Sequence, residues 1–191
     1  PGFRRVGVVE ATPDFRQLGI PPERRAAFRA EIVDRIRAIP GVANASNADI
    51  MPVAGSSAGN VVWLDGATRD PERVSGFNTI GDHYFSTLGI PLVTGRDFDA
   101  RRDTPSSPKV AVVNETFARR MLAAGNPIGQ GFWVERTPAV PQTRYEVIGL
   151  VKDTKYQSMR GDLPPIAYLS TLQITRPTGG AQVLVRSDRS P

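Results

Sequence analysis

The sequence predicts an α+β fold, and three observations carry that prediction. A β-branched run, a helix with 3.6-residue periodicity and a second apolar run succeed one another in the first 51 residues. From about residue 92 onward, short strand-like runs dominate, joined by loops rich in Pro, Thr and Gly. Hydrophobic residues make up 40% of the 191 and charged residues 23%, which supplies a core and argues against wholesale disorder.

Taken in order, residues 3–11 carry Val6, Val8 and Val9 and are expected to form a strand. Pro21-Pro22-Glu23 opens a helix, since Pro is tolerated in a first turn whose N–H groups lack partners anyway. Phe28, Ile32, Ile36 and Ile39 then fall on one helical face, and Pro40-Gly41 ends the element. Val42 to Met51 returns as a strand, giving a strand–helix–strand unit with the helix over one sheet face. The Gly/Ser-rich stretch 54–60 is expected to be a flexible loop. Val61–Leu64 and Arg73–Ile80 are expected strands, separated by a turn at Asp65-Gly66.

Asp82 is placed to cap a short helix through Leu88, with Gly89 as its left-handed terminator. Residues 92–108 form a charged, Pro-rich connection. Lys109–Val113 is a short strand of buried type, followed by a helix over Glu115–Ala124 with Phe117, Ala118, Met121 and Leu122 inward and a stop at Gly125-Asn126-Pro127. Phe132–Glu135, Tyr145–Lys152, Ile166–Leu172 and Gln182–Arg186 complete the strands. No repeat of 20–50 residues is present.

Composition excludes several function classes. With no Cys there is no disulfide, thiolate metal site or Cys nucleophile, and a single His leaves little for His-based metal or triad chemistry. No run of 18 uncharged apolar residues occurs that would span a bilayer. The net charge of +5 is carried mainly by Arg, scattered through segments of every type. This is the mark of an Arg-rich coding bias, and nucleic acid is not an expected partner.

Four constellations invite a chemical reading. Asp97, Asp99 and Asp103 cluster, but not at calcium-loop spacing, and Arg96, Arg101 and Arg102 would oppose a dication; a solvated loop with a local salt bridge is expected. Gly125, Gly129 and Gly131 lack the Lys and Ser/Thr of a phosphate loop and read as a turn. His83 follows Asp82, yet adjacent helical residues do not face one another, so a structural or surface role is expected. Trp63, Phe77, Tyr84, Phe85, Phe98, Phe117 and Trp133 read as core rather than as stacking platforms for bases. Asn44-Ala45-Ser46 and Asn114-Glu115-Thr116 match the glycosylation sequon, a pattern frequent by chance. No catalytic, cofactor-binding or metal-binding residue is assigned.

The succession of motifs is more specific than any one of them. GDHYFSTLGIPLVTGRDF (81–98), KVAVVNETFARRM (109–121), NPIGQGF (126–132), YEVIGLVKDTKY (145–156) and PPIAYLS (164–170) occur in this order. Together they resemble the MacB-like periplasmic core domain of bacterial ABC-transporter permeases, over roughly residues 1–172. The opening Gly2-Phe3, the helix before Pro40-Gly41-Val42 and the Asp153-Thr154-Lys155-Tyr156 run look most like the duplicated orphan permeases of Acidobacteria, and more like their second periplasmic copy than their first.

The resemblance implies a porter-like lobe, approximately 1–91 and 164–191, with an inserted β-rich, sabre-like lobe at approximately 92–163. The segments Gly95-Arg96-Asp97-Phe98 and Val147-Ile148-Gly149 would border or build the inserted lobe. It implies a non-catalytic periplasmic domain of an inner-membrane protein, without cofactor, that transmits conformational change from cytoplasmic ATP hydrolysis. The implied partners are flanking transmembrane helices, a cytoplasmic ATPase, and a second periplasmic copy or an adaptor. The start at Pro1 and the stop at Pro191 read as those of an excised fragment, and the resemblance implies that the helix and strands normally following the Gln182–Arg186 region would be missing. A periplasmic ligand- or peptide-binding module is the alternative, favoured by a cavity of roughly 300–1,000 Å³ with converging polar groups.

Overall fold

The computed structural model describes residues 7–15, 17–51, 58–138, 140–154, 163–174 and 182–187. In chain order the strands are β1 (Val8–Ala11), β2 (Val42–Ala48), β3 (Ala58–Leu64), β4 (Val74–Ile80), β5 (Leu92–Gly95), β6 (Val110–Asn114), β7 (Gly131–Val134), β8 (Thr143–Val151), β9 (Ile166–Ser170) and β10 (Gln182–Ser187). The α-helices are α1 (Arg25–Arg37), α2 (Tyr84–Leu88) and α3 (Glu115–Met121), with single 3₁₀ turns at Pro22–Arg24 and Thr171–Gln173. The start of the expected first strand (residues 3–6), Gly2-Phe3, positions 54–57 of the Gly/Ser stretch and Lys155-Tyr156 lie outside the described residues.

β10 pairs antiparallel with β1 on one side and β2 on the other. Alternation then gives this three-stranded layer two covered faces. Ala45, Val183 and Val185 meet Val33, Ile32 and Ile36 of α1, while Ala48 and Leu184 point the opposite way, into a larger cluster with Tyr84, Phe85 and Leu88 of α2.

The inward face of α1 differs from the expected one. Arg29 and Val33 are its buried residues, Phe28 is half-buried edge-on against Phe15 at 5.9 Å, and Ile39 lies past the helix end with 52% of its surface exposed. The apolar stripe is centred on a position occupied by Arg29, whose aliphatic stem packs like a hydrophobe but counts as polar in any periodicity.

Six of the seven remaining strands close on themselves. β3 pairs with β4, β4 with β9, β9 with β6, β6 with β8, β8 with β7, and β7 with β3. All six contribute to one cluster, through Val62, Phe77, Ala111, Val113, Phe132, Val147 and Ala167 among others, which identifies the interior of the ring. Phe117 and Met121 of α3 join that cluster, and Phe117 lies 5.0 Å from Phe132. Val110 and Val112 point outward under α2, so β6 is buried on both sides, as its unbroken apolar run predicts.

The layer and the ring meet at β2 and β4 through the pair Ala48–Ile80. Backbone bonds from Asp49 N to Thr79 O (2.9 Å) and from Gly81 N to Asn47 O (2.8 Å) flank it. Strand pairing crosses residue 92, because β3 and β4 share the ring with β6, β7 and β8. The 92–108 connection contains β5, which follows β7 along the same edge of β8. There Gly95 (φ 79°) packs against Gly149, leaving no room for a side chain, and Arg96 N donates to Ile148 O at 2.9 Å.

Two helix ends also depart from expectation. His83, at φ 61°, rather than Asp82, occupies the N-cap position of α2, and no side chain caps it; Asp82 is drawn instead to Arg37. α3 ends at Met121, because Gln130 captures both the N–H and the carbonyl of Ala123 (2.9 and 3.1 Å).

Candidate functional site

A cleft of about 380 Å³ separates α1 from the segments around residues 100–105 and 171–174. One wall is smooth, made by Ala26, Ala27 and Ala30 of α1, and Leu172, Ile174 and Pro105 add apolar surface. Arg29, Asp34, Arg37, Asn47, Asp49 and Asp82 bring charged and amide groups to the same space. Helical periodicity explains the pairing of chemistries: Ala26, Ala30 and Val33 stack on successive turns, with Arg29 and Arg37 eight residues apart beside them.

Arg37 is the best-connected group. Its guanidinium donates to Asp82 Oδ1 at 2.8 Å, to Asp82 Oδ2 at 3.3 Å and to Asp34 Oδ1 at 3.3 Å. It also donates to the carbonyls of Asp82 (3.1 Å) and Ala45 (2.9 Å), so it ties α1 to β2 and to the chain leading into α2. Arg29 is deeper and approaches Asp49 Oδ1 at 3.4 Å. Burial holds its guanidinium below the ordinary value, with the charge and hydrogen bond of Asp49 acting in opposition. Asn47 is only 5% exposed, and its Oδ1 is buried and accepts no hydrogen bond among the described residues.

Chemically this arrangement can hold and release, and it is ill suited to proton transfer. A guanidinium does not give up its proton near neutrality, and each carboxylate here is engaged by one. No group of three or more His, Asp or Glu side chains suited to a metal ion occurs among the described residues.

The constellations singled out in the sequence lie elsewhere. Arg96 grips Asp103 through two 2.8 Å bonds, and Asp99 N donates to the same carboxylate at 2.8 Å. Burial pushes the Asp103 carboxyl up, but these bonds and the charges of Arg96 and Arg102 outweigh it and hold it below the ordinary value. Asp97 is not in that pair. Burial pushes it up to about 6, against the hydrogen bond from Phe98 N and the charge of His83. His83 is largely exposed, with Nε2 3.9 Å from Asp82 Oδ2.

Gly125 (φ 105°) and Gly129 (φ 88°) form a turn that leads into β7. Tyr84 and Phe85 pack on Tyr168 at 6.1 and 5.0 Å, while Trp63 and Trp133 lie directly opposite one another across β3 and β7, half-buried. Asn114 is fully buried, with its side chain committed to three hydrogen bonds, so it is no glycosylation acceptor; Asn44 donates to Ser86 Oγ at 2.9 Å.

Apart from Asp82, expected as a helix cap, the polar cleft residues carry no mark of a site in the sequence. Arg29 interrupting the apolar stripe was the one available signal; Asp49 and Asp82 stand far from α1 along the chain, and only the fold brings them to it.

Comparison with known proteins places this geometry among relatives. The family model described as MacB-like periplasmic core domain matches residues 4–190. A curated protein from Paracoccus denitrificans, "Macrolide export ATP-binding/permease protein MacB 1/2", is 30% identical over 91 residues, covering 48% of this chain and 13% of that protein. The chain thus matches a small part of that relative's length. The periplasmic region of MacB from Actinobacillus actinomycetemcomitans superposes with a TM-score of 0.59 at 18% identity, over 85% of this chain and 66% of that one. The extracellular domain of the noncanonic ABC-type transporter YknZ from Gram-positive bacteria gives 0.58 at 16% identity, over 95% and 84%. At these identities the two structures attest the fold.

Proposed function

The chain belongs to the MacB-like periplasmic core domain family, and on that premise we propose that it is a non-enzymatic periplasmic domain of an inner-membrane ABC-type permease that relays movement. Flanking membrane helices would drive it, a cytoplasmic ATPase would supply the energy, and a second periplasmic copy or an adaptor would receive the motion. The observation that supports this reading is the cleft. The ring and the three-stranded layer are joined by backbone pairing and by the cluster under α2, whereas α1, packed on the layer and tied by Arg37 to Asp82, faces the 100–105 segment across open space. Packed interfaces transmit force, and an open cleft leaves room for the elements on either side of it to move. The division into a porter-like lobe (1–91 and 164–191) and an inserted lobe (92–163) is part of the same proposal; since pairing crosses residue 92, the lobes would move as bodies joined through the ring.

The test uses the absence of cysteine among these 191 residues, with any cysteine elsewhere in the permease replaced first. Cysteines introduced at Ala30 and Thr104, both lining the cleft, are bridged by a short bifunctional reagent in the full permease. Transport is expected to stop on bridging and to recover when the bridge is cleaved. Undiminished transport with the bridge intact would refute the relay.

A second reading, a ligand-binding module, is favoured by one observation. The cleft's volume of about 380 Å³ falls within the range of small-molecule sites, and its polar groups converge.

A further inference from the structure

We infer that the outer face of β3, β4 and β7 is a platform for a neutral pyranose oligosaccharide. Both tryptophans of the chain, Trp63 and Trp133, lie there. Their neighbours Val62, Leu64, Phe132 and Val134 belong to the cluster inside the ring, so alternation turns the two indoles outward. Trp63 is paired with Trp133 across β3 and β7, and Val61 with Val74 across β3 and β4 on the same face. Beyond them Gly59 is paired with Gly76, which leaves a stretch of sheet without side chains. The helices pack elsewhere: α1 on the three-stranded layer, α2 on the cluster beneath it, and α3 on the cluster inside the ring. Val74 is 47% exposed and both tryptophans are half-buried.

What surrounds the indoles selects the ligand. Along β7, Trp133 stands between two ion pairs: Asp65–Arg144 over Gly131 on one side, and Arg69–Glu135, at 2.6 Å, on the other. Trp133 also hydrogen-bonds the Asp65 carboxylate, which holds that indole by its N–H. Among the described residues the Arg69–Glu135 pair uses only Nε and Oε1, so both Nη groups and Oε2 remain for a ligand. Donor and acceptor side by side suit the vicinal hydroxyls of a sugar, which accept from the guanidinium and donate to the carboxylate at once. A carboxylate or ammonium ligand would satisfy one of the two and be repelled by the other. The indole faces carry partial negative charge and take the C–H-lined face of a pyranose ring. Val61, Val74 and the two tryptophans, bracketed by charge, make a small core for a protein interface, which draws on about 20–30 residues a side. Laying this face on a lipid surface would desolvate both ion pairs.

The chain has no other tryptophan, so indole fluorescence reports on the platform alone. The 191-residue chain is titrated with cellotetraose, maltotetraose, cationic tetraglucosamine and anionic tetragalacturonate at constant ionic strength. Indole emission and, on labelled protein, backbone amide shifts are followed. At least one neutral tetramer is expected to saturate, with shifts centred on residues 61–63, 74–76 and 131–135. It is expected to bind about tenfold more tightly than either charged tetramer. Trp63→Ala is expected to weaken it about tenfold, read by amide shifts. Arg69→Gln, at an exposed ion pair, is expected to weaken it about tenfold with the fold intact, and carries the test if Trp63→Ala fails to fold. Tighter binding of a charged tetramer, full affinity in Arg69→Gln, or no saturation by either neutral tetramer overturns the inference. So does an emission change brought about in place of the sugars by raising the chain's own concentration or by adding phospholipid vesicles, which assigns the face to a second copy or to a membrane. The relay reading rests on the cleft and stands in each case.

Discussion

The guanidinium of Arg144 closes over Gly131 onto the carboxylate of Asp65. Its Nη2 lies 2.6 Å from Asp65 Oδ2, and its Nε 3.0 and 3.1 Å from the two carboxylate oxygens. Arg144 is on β8, Asp65 follows β3, and Gly131 opens β7 between them, so one ion pair spans three neighbouring strands of the ring. A Cβ on residue 131 would strike both charged groups. The backbone there is ordinary; a side chain at this position would displace the ion pair above it.

Gly131→Ala is therefore expected to displace the Asp65–Arg144 pair at a cost of under about 1 kcal/mol, because the ends of two part-exposed side chains, rather than backbone, move aside. Both partners are about two-fifths exposed, so the ion pair itself contributes little. Adding Arg144→Ala to the Gly131→Ala variant should accordingly restore part of the loss. A double-mutant cycle by urea denaturation measures this, and strict additivity would show that the clash is absent.

Asp97 and Asp103 lie six residues apart and are expected to titrate with opposite consequences. Asp97 is pushed up to about 6, so its ionisation opposes folding above that pH, and the penalty is relieved as pH falls from about 6 toward 4. Asp103 is held below its ordinary value, so its contribution is present at neutrality and is lost as pH falls through the folded-state value. Asp97→Asn should raise stability at pH 7.5 by about 1–2 kcal/mol and have no effect at pH 4. Asp103→Asn should lower stability at pH 7.5. Thermal melts across this range settle both signs.

Asn114 is expected to be costlier than an ordinary helix cap. Its Oδ1 accepts from Phe117 N and Ile166 N, and its Nδ2 donates to Pro164 O, each at 2.9 Å, which joins β6, α3 and β9 at one buried amide. Asn114→Ala should cost about 3 kcal/mol against about 1 for a solvent-exposed cap. A loss near 1 kcal/mol in chemical denaturation would mean that the bonds to Ile166 and Pro164 carry no weight.

Arg37→Ala is expected to loosen α1 selectively. It removes the bonds to Asp82, Asp34 and Ala45 while leaving the ring clusters untouched. Amide exchange should accelerate across Arg25–Arg37 by at least tenfold, with little change in β6 and β8. Uniform acceleration through the ring would contradict a separately mobile helix.

Several elements were legible in the chain because their determinants are local. The unbroken apolar run of β6, the Gly89 terminator of α2 and the Pro-initiated 3₁₀ turn that leads into α1 each depend on neighbours within one or two turns. The end of α3 was not legible, since Gln130, beyond the expected stop, captures Ala123. Nor was the capping of α2, since Arg37, 45 residues before Asp82, claims the carboxylate that sequence proximity assigned to the helix.

By itself the sequence determined the α+β class, most strands, and, through five ordered motifs, the MacB-like periplasmic core domain family. Periodicity and turn chemistry act over a few residues and are written in the chain. Only the tertiary structure decided that six strands close into a ring across residue 92, that Arg29 is the centre of a buried face, and that α1 borders a charged cleft. Those outcomes depend on which distant strands share an edge and which opposite charges meet. Such pairings are settled by the free energy of the whole packed chain, and no local window contains it.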